Sequence, residues 1–545
     1  MNTAAKLSIR EKIGFALGDG AANIAWRGVS TFLFIFYTDV FGLQPAAVGL
    51  LMLITRSSDG VSDLLMGVVG DRTRSRYGKF RPWILWTALP LGAILSLLFT
   101  APDLSPTGKI IYAYTTYIIF TLVYTANNIP YGALMAVMTG DDKERTSLGS
   151  YRMVGAFGGG MLVQGALLFL VAHYGSIPSD IQVRELDRAR YEVVVSSPEE
   201  VPNVNIKTSN GIALFAWADS LALDPEHVGT KGKSFSMAAG ISYTFIVSGE
   251  EDLQVADIEI IDQKRGYSSA IYVLSVVLAL CLLVTFFTTR ERVQPLPTQK
   301  SSLLADLADL IKNKPWWILL LTGLIFQVYN SIKQGIVVIY FTHYLHNQLL
   351  AASYMVALML ASIAGAMATA WLAKRLGKKR LFVYAFLFSG LVNALLVFCG
   401  PGDALAIFVI GIVSEFGAAI FPTLFFAMLG DAADYSEYIN GRRATGLVYS
   451  AGSFSTKFGG GVAGAIIGLV LAAFHYNGQD SSAIEGAVPG IIMLMSWIPA
   501  LIALLGAVLM GIYPLNQDKM DVITLELNRR RKAAGTLSTE KNNTK

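Results

Sequence analysis

Long apolar runs recur along this 545-residue chain. Each is near the roughly 20 residues that a helix needs to cross a bilayer. The pattern predicts twelve membrane-spanning helices. Six run near residues 13–38, 45–69, 82–101, 109–138, 150–173 and 267–288. Six more run near 315–344, 350–374, 380–399, 404–429, 445–475 and 487–513. The stretches between them alternate in character. DRTRSRYGKFRP, DDKERTS, TTRERVQPLPTQK, AKRLGKKR and NGRRATG are basic or mixed, whereas VFGLQP and CGPGDA are short and nearly neutral. The Lys/Arg bias predicts that the first set, with both termini, is cytoplasmic.

One stretch breaks the rhythm. Residues 175–266 are polar, and YEVVVSS, NVNIKT and ISYTFIVS have strand-like composition. The expectation is a small β-rich extracytoplasmic insert between the fifth and sixth helices. The predicted organisation is helices one to five in 1–174, the insert in 175–266 and helix six in 267–289. A cytoplasmic linker with an amphipathic helix (LADLADLIKNK) follows in 290–314, helices seven to twelve in 315–514, and a cytoplasmic tail in 515–545. The halves echo one another. MTGDDKERTSLGSYRMVGAFGGG from Met138 and MLGDAADYSEYINGRRATGLVYSAGSFSTKFGGG from Met428 both run from Gly-Asp through Arg to Tyr and a glycine triplet. Repeats across two halves are the signature of secondary transporters.

Composition agrees. The chain is 53% hydrophobic and 15% charged, with a mean hydropathy of +0.51, whereas soluble domains are about a quarter charged. This marks an integral, multi-pass membrane protein. Its two cysteines, Cys281 and Cys399, lie in apolar stretches and suggest neither a disulfide nor a metal site. His343 and His346 read as interfacial residues. There is no recognisable nucleophile, metal motif or nucleotide loop, which argues against an enzyme and against a cofactor or a nucleic-acid partner.

Charges inside the apolar runs carry the chemistry. The second run contains RSSDGVSDLLMGVVGDR, with Asp59 and Asp63 one turn apart on one helical face and Arg56 and Ser62 close by. Buried carboxylates are costly and are functional by default. This pair suits a monovalent cation or a proton; a structural ion pair with Arg56 is the alternative. Asp71, Arg72, Arg76 and Arg81 end the run as a candidate cytoplasmic gate. Asp19, Trp26 and Arg27 lie in the first run, and Tyr124, Thr125 and Asn128 precede Pro130 in the fourth. Arg152, Lys333 and Lys457 lie in the fifth, seventh and eleventh. Carboxylates, amides and bases around aromatic faces suit a polyhydroxyl ligand.

RSSDGVSDLLMG followed by DRTRSRYGKFRPW, with GDAADYSEY and YSAGSFSTK, resembles the glycoside–pentoside–hexuronide cation symporter family of the major facilitator superfamily. The resemblance is densest over 14–82, 124–160 and 421–460. It implies an all-α fold of twelve helices in two six-helix repeats, here with the β-rich insert. It also implies roles by position: Asp59, Asp63 and Thr125, with Ser62 adjacent, as the cation site; Asp19 on sugar hydroxyls; Arg152 at the sugar site; Lys457 near both the cation and the sugar sites; and Tyr124 lining the cavity. The chain departs from the family pattern at Gly18, where a lysine is usual, and at Asn128, where an aspartate is usual. Gly132 replaces a tryptophan and Ser62 an asparagine. Losing one carboxylate while adding Arg27 and Lys333 tilts the site positive. The resulting expectation is a monomeric importer in a bacterial inner membrane. It would couple uptake of a glycoside, a uronide or oligouronide, to Na⁺ or H⁺ by alternating access, with no cofactor beyond the co-transported ion. A non-transporting sugar sensor and a proton-coupled exporter of the same fold are the alternatives.

Overall fold

The structure is a computed structural model that describes residues 7–139, 142–187, 190–208, 214–217, 230–231, 233–248, 252–292, 311–440, 445–478 and 481–533. The N-terminal helices are α1 (Ile9–Ile35), α2 (Pro45–Arg72), α3 (Arg81–Leu98), α4 (Pro106–Met138), α5 (Asp142–Gly175) and α6 (Gln263–Thr288). The C-terminal helices are α7 (Lys314–His343), α8 (Gln348–Leu376), α9 (Lys378–Ala394), α10 (Ala404–Ala418), α11 (Ile420–Asn440), α12 (Thr445–Ala473), α13 (Ser481–Met495) and α14 (Trp497–Gly511). An amphipathic α15 (Gln517–Ala533) follows. Nine helical segments among the described residues are long and apolar enough to cross a membrane. α1, α2 and α4 are also long, at 27, 28 and 33 residues, but they carry much of the polar chemistry. The expected linker helix, at 304–314, lies outside the described residues as far as 310.

Local signals explain the helix ends. Ser8 caps α1 through a reciprocal bond with Glu11, and proline opens α2, α3, α4 and α7 in the first turn, where its missing N–H costs nothing. The tenth predicted span is two rods, α10 and α11, joined at Ala419, and the twelfth is likewise split into α13 and α14. The halves pack alike: α1 lies on α5 as α7 lies on α12. A side chain on Gly159 of α5 would meet the Gly20 carbonyl oxygen at 2.1 Å, so the glycine triplet is what lets α1 and α5 touch backbone to backbone. The two halves meet where α2 packs on α12 and α5 on α8.

The insert contains eight described strands: β1 (Asp180–Asp187), β2 (Arg190–Ser196), β3 (Val201–Thr208), β4 (Leu214–Trp217), β5 (Thr230–Lys231), β6 (Lys233–Met237), β7 (Ser242–Ser248) and β8 (Ile258–Ile261). They form antiparallel sheets in the orders β1-β2-β7-β4-β5 and β6-β3-β8. Val193 and Val195 point inward on alternate positions of β2 and join Val204, Ile206, Phe245 and Val247 in a separate small core. The insert leaves and re-enters the bundle at one place, because Asp262 N–H donates to the Gly175 carbonyl at 2.8 Å.

Candidate functional site

Two polar clusters occupy the interior. The first is built on α2. Arg56 and Asp59 share a face three residues apart, and Arg56 Nη1 donates to Asp59 Oδ2 at 3.3 Å, with both side chains buried. The guanidinium lies 4.0 Å from the Trp26 ring of α1, a cation–π contact in a dry setting. Trp26 in turn packs on Tyr124 of α4, with ring centroids 5.6 Å apart. One turn on, Asp63 accepts a bond from Thr125 Oγ1 at 3.1 Å and an ion pair from Lys457 of α12. Asp19 of α1 receives Arg152 of α5 at 3.3 Å. Three carboxylates therefore face three bases, each in its own pair. The Asp63–Lys457 pair crosses from one half to the other.

The second cluster surrounds a cavity between the halves. Arg27 of α1 lines it from one side; Lys333 of α7 and Glu415 of α10 line it from the other. Lys333 Nζ lies 3.4 Å from Glu415 Oε2 and 3.3 Å from Ser414 Oγ. Ser362 of α8 donates to Glu415 Oε1 at 2.8 Å. The charged residues lining this cavity, among those described, are two cations and one carboxylate.

Other expected residues stand apart. Ser62 Oγ donates to the carbonyl of Asp59, so its hydroxyl serves its own helix. Asn128 is half-buried on α4, while its neighbour Asn127 is buried and bonds to Thr87 of α3 at 2.7 Å. Of the candidate gate residues, Arg81 braces its own half. Arg72 is exposed at the end of α2, Arg76 lies over the Tyr77 ring, and Arg81 donates to the Phe286 carbonyl at 2.7 Å. The side chain of Asp71 lies outside the described residues. Next to them, Glu291 accepts the backbone N–H groups of Lys79, Phe80 and Arg81 at 2.8–2.9 Å, an anion seated on the N-terminus of α3. Gly78, at φ +110°, makes room for that carboxylate; a side chain there would meet it at 2.4 Å.

The family model described as MFS/sugar transport protein matches residues 14–196 and 227–517. The chain belongs to this family, as a sugar transporter of the glycoside–pentoside–hexuronide symporter type. The chain is similar to the inner membrane symporter YicJ of Escherichia coli, with 32% identity covering 92% of this chain and 91% of that one. It is 29% identical to an isoprimeverose transporter of Lactiplantibacillus pentosus, over 90% of this chain and 85% of the other. It is 28% identical to the glucuronide carrier protein homolog of E. coli, over 97% of each. Among solved structures, an inward-facing bacterial homolog of the lysosomal transporter Spinster superposes with a TM-score of 0.62 at 11% identity, over 92% of this chain and 95% of that one. That likeness shows the fold alone. The protein is a multi-pass membrane transporter and not an enzyme.

Two features of the transporter escape a reading of its sequence. Glu415 is a lone carboxylate in VIGIVSEFGAAIFP, and its position inside an apolar run is itself the signal. His343 is more than interfacial. Its Nε2 lies 2.7 Å from Asp39 Oδ2, and Tyr476 donates to Asp39 Oδ1 at 2.8 Å. Asp39 sits in a π-helical turn, Phe36–Val40, that ends the first span. This latch joins the halves at the end of the bundle that carries the insert.

Proposed function

We propose that the transporter imports an acidic glycoside, a uronide or oligouronide, together with Na⁺ (or H⁺), across a bacterial inner membrane with both termini cytoplasmic. The observation that carries the substrate class is the second cluster, where Arg27 and Lys333 outnumber Glu415. A buried excess of positive charge is costly, and an anionic ligand relieves it. The names of relatives point both ways: one is an isoprimeverose transporter and another a glucuronide carrier homolog. The orientation rests on the basic connections.

The first cluster supports the coupling. In it each carboxylate is already neutralised by a base of the protein. A cation entering between Asp59 and Asp63 takes the place of Lys457 on Asp63, and Thr125 offers a neutral oxygen beside it. Because Asp63–Lys457 spans the halves, ion entry loosens one tie between them while sugar binding at Asp19, Arg152 and the second cluster makes others. Ion and sugar then raise each other's affinity by the same factor. Na⁺ is favoured over H⁺ by the hydroxyl beside the carboxylates. The test is uptake of matched neutral and uronic glycosides into vesicles under imposed Na⁺ or H⁺ gradients, with wild type beside Asp59→Asn and Asp63→Asn. Acid uptake driven by Na⁺ and lost in both variants is the expected result. Equal uptake of neutral and acidic sugars would remove the substrate reading, and saturable binding without accumulation would remove transport itself.

A further inference from the structure

Glu415 enters the transport cycle above only through its charge, yet it pairs with Lys333 and lines the cavity of the second cluster. Lys333 is deeply buried, with its side chain 5% exposed, whereas Glu415 is 19% exposed and reaches the cavity. A buried ammonium is costly without a counter-charge. The ammonium is shared, however: it lies 3.4 Å from Glu415 and also 3.3 Å from Ser414 Oγ. Glu415 has a second support in Ser362, at 2.8 Å. Its backbone is fixed, because α10 runs against α8 so closely that a side chain on Gly365 would meet the Phe416 carbonyl oxygen at 2.2 Å. Across the cavity, Arg27 Nε is buried with no hydrogen-bond partner among the described residues. The carboxylate therefore sits where an incoming acid would bind, beside one cation it shares with Ser414 and facing another with an unused donor.

We propose that Glu415 is an exchangeable internal counter-ion. It neutralises Lys333 while the transporter is empty, and it yields that seat to the acidic group of the substrate, which then bridges Lys333 of one half and Arg27 of the other. This rests on the acidic-glycoside reading. The displaced carboxylate stays on Ser362 and turns toward the cavity. No bond is made or broken and no proton moves; one ion pair replaces another. The arrangement has a consequence for turnover. An empty carrier must reorient, and Glu415 lets it do so without a naked buried lysine. It also sets selectivity, since a neutral sugar has nothing to offer Lys333 in exchange.

The test uses the full-length protein and a matched pair of probes, a methyl glucuronide and the methyl glucoside. In Glu415→Gln the internal competitor is gone, so the acid-to-neutral affinity ratio is expected to rise about tenfold, the weight of one charged contact. Net uptake into proteoliposomes should fall relative to exchange of labelled for unlabelled acid, because only net uptake requires return of the empty carrier. Ser362→Ala, a milder change, should move the affinity ratio the opposite way by removing the oxygen that keeps the displaced carboxylate. A wild type that prefers the acid, with a ratio unchanged or lower in Glu415→Gln, would overturn the counter-ion role and leave the acidic reading standing. Failure of the acid probe to bind wild type and Glu415→Gln alike would overturn the acidic reading, and this inference with it.

Discussion

The two polar clusters differ in charge balance and in how they are held. The α2 cluster is balanced, with Asp19, Asp59 and Asp63 each opposed by its own base. The cavity cluster is not, with Arg27 and Lys333 against Glu415. On the proposed mechanism, an incoming cation would replace a cation already present in the first. An incoming anion would replace an anion already present in the second and would also find a base to spare. The contrast suggests that an internal ion pair serves as a stand-in for a transported ion. Charged groups buried in a membrane protein are expensive when alone, which is why the proposed mechanism has each site keep its own counter-charge until a transported one arrives.

The largest effect should come from breaking the balanced cluster. Asp63→Asn strands Lys457 beside α2, while its amide oxygen can still accept from Thr125. Losing one partner of a buried pair costs about 3 kcal/mol, which corresponds to roughly a hundredfold. Initial rates of gradient-driven uptake in vesicles should fall by that order, while sugar exchange at equal ion concentrations falls less. Accumulation within twofold of wild type would mean that Asp63 takes no part in coupling.

Lys333→Gln tests the unbalanced cluster and should have a smaller effect. It deletes the charge that Glu415 guards. A hydrogen bond to a charged group is worth about 1.5–3 kcal/mol, so the preference for a uronide over its neutral glycoside should drop by about 10- to 100-fold. Competition by the two sugars against one labelled substrate measures it. A preference that survives would put the acid-binding charge on Arg27 across the cavity, or outside this cluster.

How far the two clusters could be foreseen follows from what sets each of them. Asp59 and Asp63 are legible because both lie on one helix, where a spacing of four residues fixes their common face. The strands of the insert are legible for a similar reason, since alternation such as Val193 and Val195 is a local property. Contacts between distant segments are not. Nothing in the sequence pairs Lys457 with Asp63, or Asp39 with His343, across 394 and 304 residues. Arg27 and Lys333 stand out as charges in apolar runs, but that they face one cavity with Glu415 follows from the packing of α1, α7 and α10. The break at Ala419 was equally hidden, because α10 and α11 read as one apolar run.

Thr125→Val sharpens the choice of ion. Valine keeps the shape of threonine and removes its oxygen. If Na⁺ occupies the balanced cluster, half-saturation for Na⁺ should rise about tenfold, as expected for losing one polar contact in a buried site. Proton-driven uptake should change little. A Na⁺ response identical to wild type would take Thr125 out of the ion site.

Ser62→Ala should have the smallest effect, and it separates proximity from participation. By sequence, Ser62 stands beside the carboxylates as well as Thr125 does. In the structure its hydroxyl donates to the Asp59 carbonyl of its own helix at 3.0 Å, a back-bond that serine commonly makes in helices. Thr125 instead reaches across from α4 to Asp63. Alanine is also the better helix former, which offsets the lost back-bond by a few tenths of a kcal/mol, roughly. Half-saturation for the coupling ion should therefore stay within about twofold of wild type, well under the weight of one polar contact. A tenfold rise would show that the hydroxyl leaves the Asp59 carbonyl to join the ion, adding one more oxygen to the balanced cluster.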